Sequence, residues 1–446
     1  MQVPVKEEQG DLESRQQQSQ SKRIRSSVID FLTQKEDESS HVLHPPDIGI
    51  RPWLQVVAGF LLMFNTWGMI FSFGTFQTYY TSEGGLQDTS STSAVAWIGS
   101  IQAFLLLFGA AFTGRYFDMG YYRQLLVSGT CLIVFGVMMT SLATKYYQVL
   151  LSQGICLGLG TSCLLVPSVG LPSTWFERKR GLAVGIVSSG ASVAGIILPI
   201  VVRHLIRVVG FGWATRIMGF ICLATLSVSM ALAKPRLPPR GRGTFIEYSA
   251  LTQPEFAIYL AGLSVSMLGL YTFFTFVEEW AVSIGLEISG LPLVYLLPIL
   301  NAASILGRLI PSFISDYLGP LNTQAPALLI CGISALSWLA VDSPGPLIAL
   351  IVIYGFASGA VICLPPVAIA SMTEDLRSFG GRMGCMFLAI SGTSLAGPPI
   401  NGAIIQHAKT TYDGARIFSG TVMIVAAALL WTSRLVKTKG KWIVKA

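Results

Sequence analysis

The chain has 446 residues, 52% hydrophobic and only 12% charged, against roughly 25% charged in an ordinary soluble domain. A water-soluble core cannot absorb that much apolar surface, and runs of about 20 apolar residues recur, each long enough to cross a hydrocarbon layer roughly 30 Å thick as a helix. The net charge of +7 comes without any aromatic-plus-basic recognition element, so no nucleic-acid partner is called for, and membrane topology accounts for the basic balance.

Residues 1–52 are charged, rich in Gln and Ser, and lack the apolar centre of a cleavable signal. They read as a disordered cytoplasmic tail. The first predicted span, 54–79, carries Asn65 and Trp67, and the second, 93–114, carries Gln102. The inner loop "GRYFDMGYYR" follows, and then spans at 124–143 and 147–171, the latter with Pro167 and Pro172, where bends are expected. "WFERKRG" leads into the fifth span, 181–202, in which Gly181, Gly185, Gly190 and Gly195 leave one side nearly bare for a close neighbour. The sixth span is 212–233.

A polar stretch heavy in Pro and Gly, 234–254, reads as a cytoplasmic linker between a six-helix bundle at 53–233 and a second at 255–433. The seventh span, 255–277, carries Tyr271 and Thr275, with Glu278 and Glu279 solvated at its outer mouth. The eighth, 291–314, belongs to "NAASILGRLIPSFISDYLG" and holds a fixed positive charge, Arg308. Spacings of three, four and seven put Arg308 on one helical face with Ser304 and Asn301. A lipid-facing arginine reaching for headgroups is the alternative, but an unpaired Arg at helix-centre depth costs about 2.5–3.5 kcal/mol, and a hydrated cavity avoids most of that. The remaining spans are 324–341, 346–370 with Tyr354, Pro365 and Pro366, 383–405 and 415–433, followed by a short tail, 434–446. Bends are also expected at Pro298 and at the Pro365–Pro366 pair.

Twelve spans put both termini on one side. Of the 30 Lys and Arg, only Lys145, Arg203, Arg207, Arg216, Lys409 and Arg416 fall on the opposite side, with Arg308 inside a helix. The basic excess makes the termini cytoplasmic. Shifting the first half by about 200 residues lays Asp118 near Asp316 and Arg180 near Arg382. Such an internal repeat is a mark of transporters whose substrate site lies at mid-membrane between the repeats.

Embedded chemistry finds no support. His41 and His44 lie in the tail and His204 and His407 at outer helix ends, and no HExxH motif is present. "GTSLA" at 392–396 lacks the last glycine of a nucleophile elbow, and "GLG" at 158–160 has neither a third glycine nor a preceding strand. The seven cysteines fall in predicted spans without metal-ligand spacing. No catalytic residue, cofactor or metal is expected. A channel would need a charge ring or a carbonyl filter; scattered hydroxyls, amides and aromatics suit an organic solute better. Candidate cavity residues are Arg308, Asn301, Ser304, Asn65, Gln102, Tyr271 and Tyr354.

With "GRYFDMGYYR", "RKRG" and two sets of six spans in view, the chain resembles the major facilitator superfamily. The stretch "WLQVVAGFLLMFNTWGMIFSFGTFQTYY" and the helix-8 segment resemble its fungal monocarboxylate porter branch. The resemblance implies an all-α membrane fold of two pseudo-symmetric six-helix bundles. In the superfamily's inner-loop motif Gly114, Asp118, Gly120 and Arg123 match, while Met119 takes the place of the first basic residue and Tyr121 and Tyr122 the next two places. The family role of Asp118 is a latch between the halves, with Asp316, Arg180 and Arg382 in the repeated apparatus. Arg308 falls on the arginine that attracts the substrate carboxylate in the porters. Proton-coupled porters carry an acid one turn earlier, where this chain has Ser304, and a helix-1 lysine, to which Phe71 is the nearest match. Anion attraction therefore carries over and the proton relay does not, although protons stay the candidate coupling ion.

The expected function is secondary active transport of a small organic anion by alternating access, at the plasma membrane rather than the vacuole, with the solute and the lipid bilayer as partners. Efflux of a fungal secondary metabolite is the close second. A nutrient sensor of transporter ancestry is the third, against which the short C-terminal tail weighs.

Overall fold

The computed structural model describes residues 49–81, 85–86, 92–236, 248–286, 292–373, 375–407 and 412–441. Most of the expected N-terminal tail, the middle of the linker and the last residues lie outside them. All regular structure among the described residues is helical. Among the described residues eleven helices are long and apolar enough to cross a membrane. One of them, Arg180–Leu232, is 53 residues long and contains a break at Gly210, whose φ of 77° is a left-handed value that glycine adopts without steric cost. Divided there, the described residues contain the twelve expected spans.

In chain order these are α1 (Ile50–Tyr80), α2 (Ala94–Asp118), α3 (Tyr122–Thr140), α4 (Tyr146–Trp175), α5 (180–209), α6 (211–232), α7 (Pro254–Ser283), α8 (Leu296–Leu318), α9 (Pro320–Ala340), α10 (Pro344–Ser371), α11 (Phe379–His407) and α12 (Asp413–Lys437). In the first half α1 packs on the continuous α5–α6 unit and on α4, and α2 packs on α4. In the second, α7 packs on α12 and α11, α8 on α10, and α9 on α12. The halves meet along two long seams, α2 against α11 and α5 against α8. The end of α10, Pro365–Ser371, adds contacts to α4 and α5.

Several boundaries differ from the expectation, each for a local reason. Helix α7 continues six residues past 277 to Ser283, so Glu278 and Glu279 belong to its last turns, the first half-buried and the second exposed. Helix α8 begins at Leu296 rather than 291 and runs to Leu318, and Pro298 causes no break because the first turn needs no intrahelical N–H bond there. Helix α4 continues through Pro167 and Pro172, with a π-helical segment before them at Leu150–Leu157. The break expected in α10 is present: the helix is interrupted at Leu364, and Pro365 starts its second piece. Helix α12 extends to Lys437 because Arg434 is buried and donates from Nε to Asn322 Oδ1 at 2.8 Å, tying the last turn to α9. The expected linker contains one helical turn, Tyr248–Leu251.

Candidate functional site

Asp118 ends α2, and its carboxylate accepts hydrogen bonds from the backbone N–H groups of Gly380 (2.8 Å) and Gly381 (2.7 Å), across the seam at the start of α11. Asp316, near the end of α8, accepts from Gly181 N (2.6 Å) and Leu182 N (3.0 Å) at the start of α5. Each carboxylate thus caps a helix N-terminus in the other half, satisfying N–H groups that have no intrahelical acceptor and meeting the positive end of the helix dipole. The two contacts are related by the expected repeat, Asp118 to Asp316 and Gly181 to Gly380. Gly114 lies so close to the Gly380 carbonyl that a Cβ there would collide with it. Gly120, with φ 85°, turns the chain after Asp118, while Arg123 is exposed.

The repeated arginines brace the loops that precede these helix starts. Arg180 donates from Nε to the carbonyls of Ser173 (3.1 Å) and Phe176 (3.0 Å). Arg382 donates from Nη1 to the Met372 carbonyl at 2.6 Å and lies over the Phe256 ring at 5.4 Å. Ser173 and Met372 are equivalent in the repeat, so the two arginines reach the same place from positions about one helical turn apart.

Beyond these caps the seam opens into a cavity. Its atom-free space is about 790 Å³, part of it open to solvent, which fits the roughly 300–1,000 Å³ usual for small-molecule sites. Met63, Trp67 and Phe71 of α1 face it at a spacing of four, and Met267 and Tyr271 of α7 and Phe387 of α11 face it from the second half. The wall is mainly apolar and aromatic, and its one charged group among the described residues is Arg308. The Tyr271 hydroxyl and the Trp67 indole N–H make no hydrogen bond among the described residues.

Arg308 is 2% exposed and stands ten residues from the helix end at Leu318, about 15 Å at 1.5 Å per residue. Buried and bonded to the neighbouring α5, it does not reach through lipid for headgroups. The guanidinium donates from Nε to Ser304 Oγ at 3.3 Å and from Nη1 to the carbonyl oxygen of Ser188 on α5. Among the described residues it has no ion-pair partner. Helix α5 comes this close because Gly185 has no side chain: a Cβ there would lie 2.5 Å from the Arg308 carbonyl.

Of the other residues expected on the wall, Ser304 and Asn301 are buried on the same side of α8 as Arg308, but they pack in the seam against α5 and do not line the cavity. Three others are placed differently. Asn65 donates to Leu61 O (2.7 Å) and Thr225 Oγ1 (2.9 Å), joining α1 to α6. Tyr354 donates to the Leu270 carbonyl at 2.7 Å and stacks on Phe273 at 4.4 Å, within the second bundle. Gln102 is 1% exposed, its backbone against Gly158 of α4, and it does not line the cavity. Sequence reasoning missed Met63, Met267, Met386, Phe387 and Ser188. The spacing of Met63, Trp67 and Phe71 was the available signal on α1.

Two six-helix halves, joined by paired carboxylate caps on helix starts and enclosing a cavity between them, define a membrane transporter that carries a small solute between its halves. The Major Facilitator Superfamily model matches residues 55–377, and the chain belongs to that superfamily. It is 43% identical over 385 residues to the MFS-type transporter dbaD of Emericella nidulans, covering 86% of each chain. It is 36% identical to the fujikurins efflux protein of Gibberella fujikuroi, covering 91% of this chain and 87% of that one. Among solved structures, the human organic anion transporter MFSD10 (TETRAN) superimposes with a TM-score of 0.66 at 15% identity, covering 87% of this chain and 100% of that one.

Proposed function

We propose that the protein exports an apolar organic anion, a carboxylated or similarly acidic secondary metabolite, from the cell that makes it. The observation that carries this reading is Arg308: a fixed cation at mid-membrane depth, on the wall of an otherwise apolar cavity, with no acidic partner among the described residues. A single cation favours a single anionic group. The aromatic and thioether wall favours a large apolar body beside it. Phe71, at the place of the porter lysine, faces the cavity and adds no second charge. Export is supported by the similarity to the fujikurins efflux protein, and the fungal monocarboxylate porter branch is the subfamily to which the helix-1 and helix-8 segments point.

In this reading residues 53–233 and 255–433 rock against each other about the site, with 234–254 as linker. Both termini and both latches are cytoplasmic, because Lys and Arg concentrate on that side. With the latches engaged the cavity is accessible from outside, and breaking them exposes it to the cytoplasm. Arg308 and Tyr271 contact the solute. Ser304 and Asn301 support Arg308 from its own helix. Asp118, Asp316, Gly114, Gly120, Arg123, Arg180 and Arg382 form the gating apparatus. The membrane is the plasma membrane, and a transmembrane solute or proton gradient drives the cycle.

The test is deletion of the gene in its host followed by profiling of acidic metabolites in cells and medium. Export predicts that at least one apolar acid accumulates inside and falls in the medium, restored by the wild-type gene and not by Arg308→Gln at equal surface expression. Unchanged partitioning of every acidic metabolite would refute the export reading.

A further inference from the structure

Arg308 touches both halves. Its own helix, α8, belongs to the second bundle, whereas the Ser188 carbonyl that accepts from Nη1 belongs to α5 of the first. A helical carbonyl has two lone pairs, so it can take this bond in addition to its own ladder bond. Ser304 Oγ accepts from Arg308 Nε at 3.3 Å and also from Ser192 Oγ of α5 at 3.4 Å. The second of these is long for a hydroxyl pair and correspondingly weak. Ser188, Ser192, Ser304 and Arg308 are all at most 4% exposed. They form a continuous hydrogen-bonded bridge across the α5–α8 seam, well above the Asp316 latch. Ser188 and Arg308 also line the cavity, so the bridge lies where the solute binds.

We propose that Arg308 is a clasp that holds the empty transporter in this latched state, and that an anion entering the cavity releases it by replacing the Ser188 carbonyl as acceptor of the guanidinium. A carboxylate is the stronger acceptor because the bond is then charge-assisted on both sides. Ser304 is the positioning residue, holding Nε so that Nη1 points across the seam. The clasp slows the return of the empty transporter to the cytoplasm-facing state without preventing it, and an external anion speeds that return, so export is stimulated by exchange. The displacement step rests on the proposed anion reading. The clasp in the empty protein does not.

The experiment is double electron–electron resonance on full-length protein in lipid nanodiscs. Spin labels go on cysteines replacing Tyr121 and Tyr317, two exposed residues beside the latches on opposite halves. In the absence of ligand, Arg308→Met should raise the latch-open population about tenfold, the loss of one hydrogen bond to a charged group. Ser304→Ala should raise it about threefold to fivefold, as for one neutral bond, and Arg308→Lys, which keeps a donor, should restore most of the closed population. Identical distance distributions in wild type, Arg308→Met and Ser304→Ala would overturn the clasp. If Arg308→Met does not fold, Ser304→Ala decides the same question. Adding 1-naphthoate should open the wild type and leave Arg308→Met unmoved, with neutral 1-naphthylmethanol inert on both. A ligand-free shift in the variants with no response of the wild type to 1-naphthoate would retain the clasp and overturn its release by carboxylates.

Discussion

Asp118→Asn keeps the side-chain shape at the start of α11 but removes the charge and one of the two acceptor oxygens. The carboxylate takes N–H bonds of 2.8 and 2.7 Å and is only 7% exposed, so solvent compensates little. Losing one charge-assisted bond and the charge–dipole attraction costs the latched state about 2 kcal/mol, roughly thirtyfold in the closed-to-open ratio. Amide hydrogen exchange reads this directly, since Gly380 and Gly381 are the donors. Their exchange should rise by about that factor. Because Asp316 holds the same closed state, Gly181 and Leu182 should accelerate with them, although their own acceptor is untouched. An increase confined to Gly380 and Gly381 would mean local fraying. No increase would mean the contact holds nothing. Either outcome would show that the two carboxylates do not bias one two-state element.

Three further outcomes follow from the packing. Gly185→Val should cost at least about 1–3 kcal/mol through overpacking against the Arg308 backbone, seen as lower yield and thermal stability in detergent. Tyr354→Phe removes a bond to the Leu270 carbonyl inside the second bundle, so thermal stability should fall by about 1 kcal/mol while transport of an anionic probe stays near wild type. Phe71→Lys places a second cation on the cavity wall, and competition flux assays should show preference moving from monoanions towards dianions by about tenfold or less.

The spans were legible because a water-soluble chain seldom carries apolar runs of membrane length, and the latch residues because Asp118 and Asp316 repeat at nearly constant offset. Helix ends were harder. Glu278, Asp316 and Arg434 look like loop residues in sequence, yet each lies within a helix: Asp316 is held by Gly181 and Leu182, and Arg434 by Asn322. The cavity wall was only half legible. A polar group at mid-membrane depth can face a cavity, as Arg308 and Tyr271 do, or bond to a neighbouring helix, as Asn65 and Tyr354 do, and composition does not distinguish the two. The apolar part of the wall was invisible for the opposite reason, since Met267 and Phe387 look like any lipid-facing or core residue until the halves are assembled. Arg308 stood out because its charge has few tolerable places in a membrane.

Recognition of the solute's anionic group by Arg308 is tested by flux of 1-naphthoate and of 1-naphthylmethanol through proteoliposomes holding equal amounts of folded wild type, Arg308→Lys and Arg308→Gln. Naphthoate flux should be saturable in the wild type, reduced by about tenfold or more in Arg308→Gln and partly kept in Arg308→Lys, with the neutral probe unaffected by any substitution. Naphthoate flux that is unchanged in Arg308→Gln would contradict that role for Arg308.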